Sequence, residues 1–306
     1  MLRYDDLQVF VHTSDSGSLS AAARQLEISP AVASAALKRL ESELEVRLFA
    51  RSTRSLRLTP EGDALLLHAR ASLRSLEEGR RLLQGGKDQI AGVLQLSAPS
   101  DFGRNLLLPW LDEFQARYPQ LSLRLLLGDR VTDLYRQPVD VAIRYGAPAD
   151  SSLVALPLAP DNRRVLCAAP GYLAERGEPR QPDDLREHNC LLYQLGGRVH
   201  DRWAFQRGRR SLTLTVAGDR VCDDADVVRR WALAGKGLVY KSWLDVAEDV
   251  RAGRLRLLLP EWQGEATPMN LLCTHRAQLT RPVTLLRAFV RERCDALLAE
   301  APWTRN

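Results

Sequence analysis

Between Ser18 and Arg47 the apolar positions keep a helical period that breaks once. Leu19, Ala22, Ala23 and Leu26 make one stripe, with Ser18 or Ser20 placed to cap the helix by accepting from its free opening amides. Glu27 and Ile28 form a turn. Ser29 then caps a second helix, and Pro30 takes its first position, where a missing N–H is harmless. Ala33, Leu37, Leu40 and Leu44 line the buried side of that helix, while Ala31, Ser34, Ala35 and Lys38 line a slim, mostly polar opposite side. Ala21, Ala22 and Ala23 permit a close crossing. The pattern, about 19–38, reads as a helix-turn-helix. A helical hairpin whose small residues merely pack has the same pattern until its neighbours are added. Ahead of the pair, Asp5 caps a supporting helix to about Ser14, with Leu7, Phe10, Val11 and Ser14 at helical intervals and Gly17 as its stop.

The segment after the helix pair decides between the two. Residues of about 48–58 read as two extended pieces around a polar turn, a hairpin wing. Arg47, Arg51, Arg54 and Arg57 lie there with no acidic residue between Arg47 and Thr59. A charge run is usually a solvated face; directly after a slim helix it is what a phosphate backbone requires. Thr59, Pro60, Glu61 and Asp63 open a long helix. Its apolar positions Leu66, Ala69, Leu73 and Leu76, then Leu83, keep a heptad and end at Gly85-Gly86, which predicts a dimerising linker over 60–86. From Ala91 the period changes. Strands are predicted at Val93–Ala98, Leu121–Leu127, Val139–Tyr145, Leu153–Leu158, Val165–Ala169, Cys190–Tyr193, Leu212–Val216, Gly237–Lys241, Leu255–Leu259 and Met269–Thr274. Helices at about 105–118, 172–176, 225–234, 244–251 and 282–300 alternate with them, which argues for an α/β class with parallel strands.

Length and charge narrow the class without naming it. At 306 residues two or three domains are expected, and a net charge of +5, from 43 Lys and Arg against 38 Asp and Glu, suits nucleic acid without demanding it. No run reaches transmembrane length and the opening residues lack a signal-peptide core, so the expected location is the cytoplasm, with no membrane partner. Cys167, Cys190, Cys222, Cys273 and Cys294 have neither metal-ligand nor redox spacing. The first, second and fourth sit in strand-like runs and read as buried thiols, whereas Cys222 falls in a predicted loop among Asp223, Asp224 and Asp226, which supply no cation to activate it. The histidines are isolated, and no nucleophile elbow, zinc-protease helix or phosphate loop is present. No catalytic residue, metal or cofactor is assigned. An α/β small-molecule-processing enzyme with an appended helical domain is the alternative that DNA binding would exclude.

Phe10-Val11, Gly17 to Ala23, Leu40-Glu41, Glu43-Leu44, Arg47-Leu48-Phe49, Arg51 and Leu58 to Gly62 together resemble the DNA-binding end of a LysR-type transcriptional regulator. Leu108-Pro109, Phe114, Tyr118-Pro119, Val139 to Arg144 and Ala234 to Gly237 extend the resemblance over essentially the whole chain. It implies an N-terminal winged helix-turn-helix over 1–59, the linker helix over 60–86, and a periplasmic-binding-protein-like (type II) effector domain over 91–306. That domain would have lobe one at about 91–162 and 268–301 and lobe two at about 163–267, with crossovers near Asn162–Val165 and Thr267–Asn270. The implied function is regulation of transcription, with promoter or operator DNA, a small-molecule effector, further copies of the chain as dimer and tetramer, and RNA polymerase as partners.

The recognition helix departs from the family's common Ser-Gln-Pro-Ala-Val-Ser-Arg-Gln: here it reads Ser29-Pro30-Ala31-Val32-Ala33-Ser34-Ala35-Ala36. Ala31 and Ala35 can touch a thymine methyl, Ser29 and Ser34 reach only a short way, and Lys38, Arg51, Arg54 and DNA shape are left to supply preference. By the same resemblance the effector meets Ser100, Asp101 and Phe102 after the first strand of lobe one, Thr132, and Arg144-Tyr145, with Tyr193, Arg198 and Asp224 from lobe two. Asp101 serves equally as a cap for the helix at Asn105, and equally as an ion-pair partner of Arg144. As a ligand contact it favours an amino compound over a simple dicarboxylate, unless Arg144 neutralises it.

Overall fold

The computed structural model describes residues 2–51, 56–83, 90–129, 139–146 and 153–304, and of Arg51, Leu67, Arg74, Ser75, Glu78, Ala277 and residues 81–83 the backbone alone. The chain divides into two compact units, Met1–Gln89 and Ile90–Asn306. In the first, helices α1 (Tyr4–Ser16), α2 (Leu19–Gln25) and α3 (Pro30–Leu44) precede strands β1 (Phe49–Arg51) and β2 (Leu56–Leu58) and helix α4 (Pro60–Leu83). The cap of α1 is Arg3 and not Asp5, which lies in the first turn, where its charge suits the positive helix end. Asp6 is buried and takes a two-pronged contact from Arg39 of α3, at 3.2 and 2.6 Å. Gly17, at φ 64°, stops α1 in the left-handed conformation that glycine adopts without strain. Ser18, not Ser20, caps α2, and Ser29 caps α3 by accepting from Val32 N at 3.2 Å.

The wing is anchored by one carboxylate. Glu41 of α3 is buried and accepts from Leu48 N at 2.9 Å, from Phe49 N at 3.4 Å and from Arg47 Nη1 at 3.0 Å. It thereby satisfies the amides that open β1 and turns the chain back onto the helices. Thr59 closes the other side: its hydroxyl donates to Arg47 O and accepts from Gly62 N, capping α4. A side chain at Gly62 would meet Leu48 O at 2.1 Å, so only glycine lets α4 start this close to the wing.

The expected dimer seam is split by packing. Leu66 and Ala69 are buried in one core with Phe10, Val11, Leu37, Leu40, Leu48 and Phe49, and Leu73 is packed against that core. They are the core of their own unit, not a free seam. Leu76 alone of the four stands out of it, 59% exposed. Leu83 has only its backbone described, and Gly85-Gly86 lie outside the described residues.

The second unit holds two sheet-based lobes. Lobe one has the strand order β4–β3–β5–β16–β6, formed by β3 (Gly92–Ala98), β4 (Leu121–Leu127), β5 (Val141–Tyr145), β6 (Val154–Ala159) and β16 (Met269–Cys273). The pairs of β3 with β4 and β5 are parallel, but β16 pairs antiparallel with β5 and β6, so the sheets are mixed and not purely parallel. Lobe two orders β12 (Val221–Cys222), β8 (Cys190–Leu195), β13 (Leu238–Ser242), β7 (Arg164–Ala168) and β14 (Arg256–Leu258), with β9 (Arg198–Val199) hung on β8. A third, antiparallel sheet of β10 (Arg202–Arg207), β11 (Arg210–Thr215) and β15 (Gln263–Gly264) packs Trp203, Phe205 and Leu214 into its core. The expected elements omitted β9, β10, β12 and β15; Cys222 therefore sits on a short strand, half-buried, not in a loop. The other cysteines are buried, and burial pushes the thiols of Cys190 and Cys294 up to about 12.

The chain passes between the lobes twice, with Asn162–Arg164 running against Glu265–Thr267. Asn162, fully buried, donates to Ser242 Oγ at 2.9 Å and Thr267 O at 2.8 Å, and its carbonyl oxygen accepts from Leu244 N at 3.4 Å. One side chain thus joins both crossings to lobe two. Among the helices of the second unit, which include α7 (Pro170–Arg176), those that face the lobe junction are α8 (Ala225–Leu233), α9 (Trp243–Arg251) and α5 (Ser100–Phe102) with the π turn after it (Gly103–Leu107), which runs on into α6 (Leu108–Arg117). Leu66→Ala is expected to destabilise the first unit by about 2–5 kcal/mol in denaturant unfolding. Leu76→Ala should leave it within about 0.5 kcal/mol, as for an exposed position.

Candidate functional site

The lobes meet along a polar seam built where β3 of lobe one ends. Ser100 N donates to Asp129 Oδ1 at 2.8 Å, and Ser100 Oγ makes a short contact with Asp129 Oδ2. Ala225 N, the first amide of α8 in lobe two, donates to Asp129 Oδ2 at 2.7 Å and to Ser100 Oγ at 3.1 Å. Asp224 caps α8 by accepting from Asp226 N and Val227 N, and receives Arg104 from lobe one at 2.9 Å. Asn105 Nδ2 reaches Asp226 Oδ1 at 2.9 Å and Asp101 Oδ1 at 2.8 Å. Arg104 and Asn105 lie on the π turn, a distortion that often marks function. A side chain at Gly103 would meet Leu127 at 2.2 Å, so glycine brings that turn down onto the sheet.

Behind this row lies a buried charge cluster. Lys241 Nζ donates to Asp101 Oδ2 in a short contact and to Ala225 O at 3.0 Å, with Asp245 at 3.6 Å. Tyr145 OH donates to Asp245 Oδ1 at 2.6 Å, crossing from lobe one to lobe two. Arg229 stands 3.9 Å from Asp101 and binds the buried Asp249 at 2.7 Å. Burial opposes the charge on Lys241, but Asp101 and Asp245 outweigh it and raise the pKa of the ammonium. Burial pushes the Asp101 carboxyl up to about 7, with Asp245 adding to it and Lys241 and Arg229 pulling down. These two shifts pull against each other, since a charged lysine favours the carboxylate; the direction that stands is a raised Asp101 beside a charged Lys241, because desolvation is the largest influence on the acid. Burial likewise raises Tyr145, helped by Asp245, and lowers Arg144 against the pull of Asp129 and Tyr193.

The expected effector residues fall into three groups. Ser100, Asp101, Tyr145 and Asp224 all lie in the seam, and Arg144 and Tyr193 lie within electrostatic reach of Asp129. Asp101 neither caps the helix nor pairs with Arg144. Arg144 donates to Ser97 Oγ and Ile143 O, both at 2.7 Å, and Lys241 is the cation of Asp101. Phe102 is fully buried, edge-on to Trp110 with centroids 5.6 Å apart, so it packs the core and does not face a ligand. Arg198 is exposed on β9, with no contact to the seam among the described residues. Thr132 lies outside the described residues. Sequence reasoning missed Asp129, Arg104, Asn105, Arg229, Lys241 and Asp245. Lys241 carried a signal: a lysine between the apolar run Leu238 to Tyr240 and Trp243-Leu244 has to find a buried carboxylate.

On the first unit, Ala31, Val32, Ala35 and Lys38 are exposed along α3, Val32 at 51%, and Ser34 is half-buried. Ser29 is exposed with its hydroxyl accepting the cap bond. Arg47 and Arg57 are exposed beside the wing. Arg54 lies outside the described residues, as does the side chain of Arg51. A helix with a slim free face next to a two-stranded wing, joined in one chain to a two-lobed domain, is the architecture of two matching family models. Residues 4–63 match the bacterial regulatory helix-turn-helix protein of the lysR family, and residues 87–295 match the LysR substrate binding domain. The chain belongs to the LysR family. It is a DNA-binding transcriptional regulator with an effector-binding domain.

Among curated relatives, the transcriptional regulator DmlR of Escherichia coli is 32% identical over 275 residues, covering 90% of this chain and 88% of that protein. The transcriptional activator TtdR of Escherichia coli is 32% identical over 283 residues, covering 92% and 89%. Among solved structures, the LysR-type regulator CrgA of Neisseria meningitidis matches with a TM-score of 0.59 at 31% identity, over 94% of this chain and 98% of that one. Full-length OxyR from Pseudomonas aeruginosa shares the fold, with a TM-score of 0.67 at 18% identity, over 95% and 98%. No helix among the described residues is long and apolar enough to cross a membrane, and they hold no cluster of metal-ligating side chains.

The buried acid sets a pH dependence for this LysR regulator. A carboxyl whose folded pKa exceeds its unfolded one holds its proton more tightly when folded. Its stabilising contribution is complete below the ordinary carboxylate range and is lost as pH rises through about 7. The melting temperature of the full chain is therefore expected to fall across that window, and the fall should be smaller in Asp101→Asn.

Proposed function

We propose that this regulator reads double-stranded promoter or operator DNA chiefly through phosphate contacts and DNA shape, as an oligomer, with a small polar effector bound between its lobes. The observation that carries the DNA part is the free face of α3: Ala31, Val32 and Ala35 are exposed there, and Lys38 is its long polar side chain. Methyl-bearing residues discriminate thymine by contact alone, and a lysine places a point charge. Ser34, Arg51 and Arg54 complete the contact set, with the wing arginines supplying affinity in a sequence-independent way. Ser29 is assigned to the cap and to a phosphate-facing backbone, not to base reading. Pairing between copies is assigned to α4 beyond Leu73, where Leu76 presents an apolar side chain. A tetramer and contact with RNA polymerase belong to the same reading, as does a cytoplasmic site of action.

Fluorescence anisotropy on the DNA upstream of the chain's own gene tests this. Lys38→Ala should weaken binding across sequences and reduce the log–log salt slope by about one. Loss of discrimination in Ser34→Ala, with no effect of Lys38→Ala, would reverse the assignment.

The effector part rests on the seam, where Ser100 and the α8 amide come from opposite lobes. A thermal-shift screen of amino compounds and carboxylates on the full chain should find stabilisers whose effect drops in Ser100→Ala. Stabilisers undiminished in that variant would place the effector elsewhere.

A further inference from the structure

Three donors converge on a single carboxylate at the lobe junction. Asp129, 8% exposed, stands two residues past the end of β4, just after Gly128, whose amide still bonds Ala98 O at 3.0 Å. One oxygen of its carboxylate accepts from Ser100 N at 2.8 Å, and the other accepts from Ser100 Oγ and, at 2.7 Å, from Ala225 N. The amide of Ala225 is the one that α8 leaves for this purpose, because Asp224 takes the next two. Arg144 lies near enough for Asp129 to act on its pKa. The carboxylate is thus held as a free carboxylate would be, by two backbone amides and a hydroxyl, with donors from both lobes.

We propose that Asp129 is a built-in occupant of an inter-lobe carboxylate cradle, bridging the lobes with the protein's own acid, and that an effector carboxylate engages the same donors by displacing it. The inference rests on the reading of the lobe junction as the effector site and adds its chemistry and its regulation. It also reverses the preference for amino compounds. That preference came from Asp101, and Asp101 has its countercharges in Lys241 and Arg229. A tethered carboxylate competes at an effective concentration on the order of millimolar or higher. Simple monocarboxylates therefore bind the wild type poorly. A productive effector needs further contacts besides its carboxylate, and these decide specificity.

Vacating the cradle separates an exchangeable occupant from a fixed stitch. In the full-length Asp129→Ala variant, acetate at millimolar concentrations should raise the melting temperature by several degrees, while sodium chloride at matched ionic strength and acetamide should not. The wild type should show no such shift. Asp129→Ser withdraws the carboxylate while keeping a polar side chain, and carries the same test. If neither variant folds in chloride, refolding yield in acetate against chloride is the readout: recovery in acetate supports the cradle and none overturns it. Equal responses of variant and wild type to acetate, or no response in the variant, also overturn it. Wild-type anisotropy on upstream DNA and the Ser100→Ala screen are run on the same preparations. Their failure removes the regulator or effector-site reading, whereas failure of acetate rescue alone removes only the tethered occupant.

Discussion

A lysine ammonium buried between two lobes has to be neutralised by groups from both, and most of the second unit's junction is a consequence of that requirement. Lys241 sits on β13, a strand with every residue buried; its ammonium donates to Asp101 and to Ala225 O and faces the Asp245 carboxylate at 3.6 Å. Asp101 belongs to lobe one, so the cation cannot be satisfied unless the lobes meet. Asp245 needs Tyr145, again from lobe one. Removing Lys241 would leave Asp101 and Asp245 buried without their cation, at about 3–5 kcal/mol for an uncompensated buried charge, whereas the intact cluster adds little net stability over apolar packing. The cluster therefore specifies one arrangement of the lobes more than it strengthens the fold.

The first unit depends on a smaller device of the same type. Glu41 takes two wing amides and an arginine at once, so the position of the wing is tied to the rotation of α3. The face that α3 presents is then fixed relative to Arg47 and Arg57. Since that face carries methyl groups and one lysine, in the proposed reading the phosphates locate the protein and the base edges contribute through apolar contact. Narrow A·T-rich minor grooves, which draw in arginine, are the natural complement of such a surface.

Most of the fold was legible because it is written in local periods. The break at Glu27-Ile28, the Ser29-Pro30 start, and the change from period 3.6 to strand runs after Ala91 all survive in the structure, with element ends shifted by a few residues. The dimer seam shows the limit of the same signal. Leu66, Ala69 and Leu73 have heptad spacing, but so does any helix lying along a core, and only packing tells the two apart. The site was half legible. Ser100, Tyr145 and Asp224, picked out by position along the chain, fall in the seam, but seam partners lie about a hundred residues apart, as in Tyr145–Asp245 and Arg104–Asp224. No period encodes a pair of that separation. Phe102 was misplaced for the opposite reason: adjacency to Ser100 says nothing of which side of the strand end an aromatic ring takes.

On the proposed reading, an effector entering this junction exchanges contacts that the protein already makes with itself. A ligand shifts an equilibrium only by the difference in its affinity for two arrangements, however tightly it binds. Ser100 and Ala225 are the donors that face Asp129 from opposite lobes, so any group placed between them feels both. A ligand whose carboxylate merely reproduced the hold of Asp129 would leave the lobes where they are and carry no signal. The rest of the molecule has to do the work, by displacing a second contact such as Arg104–Asp224 or Tyr145–Asp245, or by setting a different spacing between the two amides. Selectivity and response then come from the same atoms. The signal is graded by how far the ligand's second contact departs from the one it replaces, and not by how strongly the carboxylate is held.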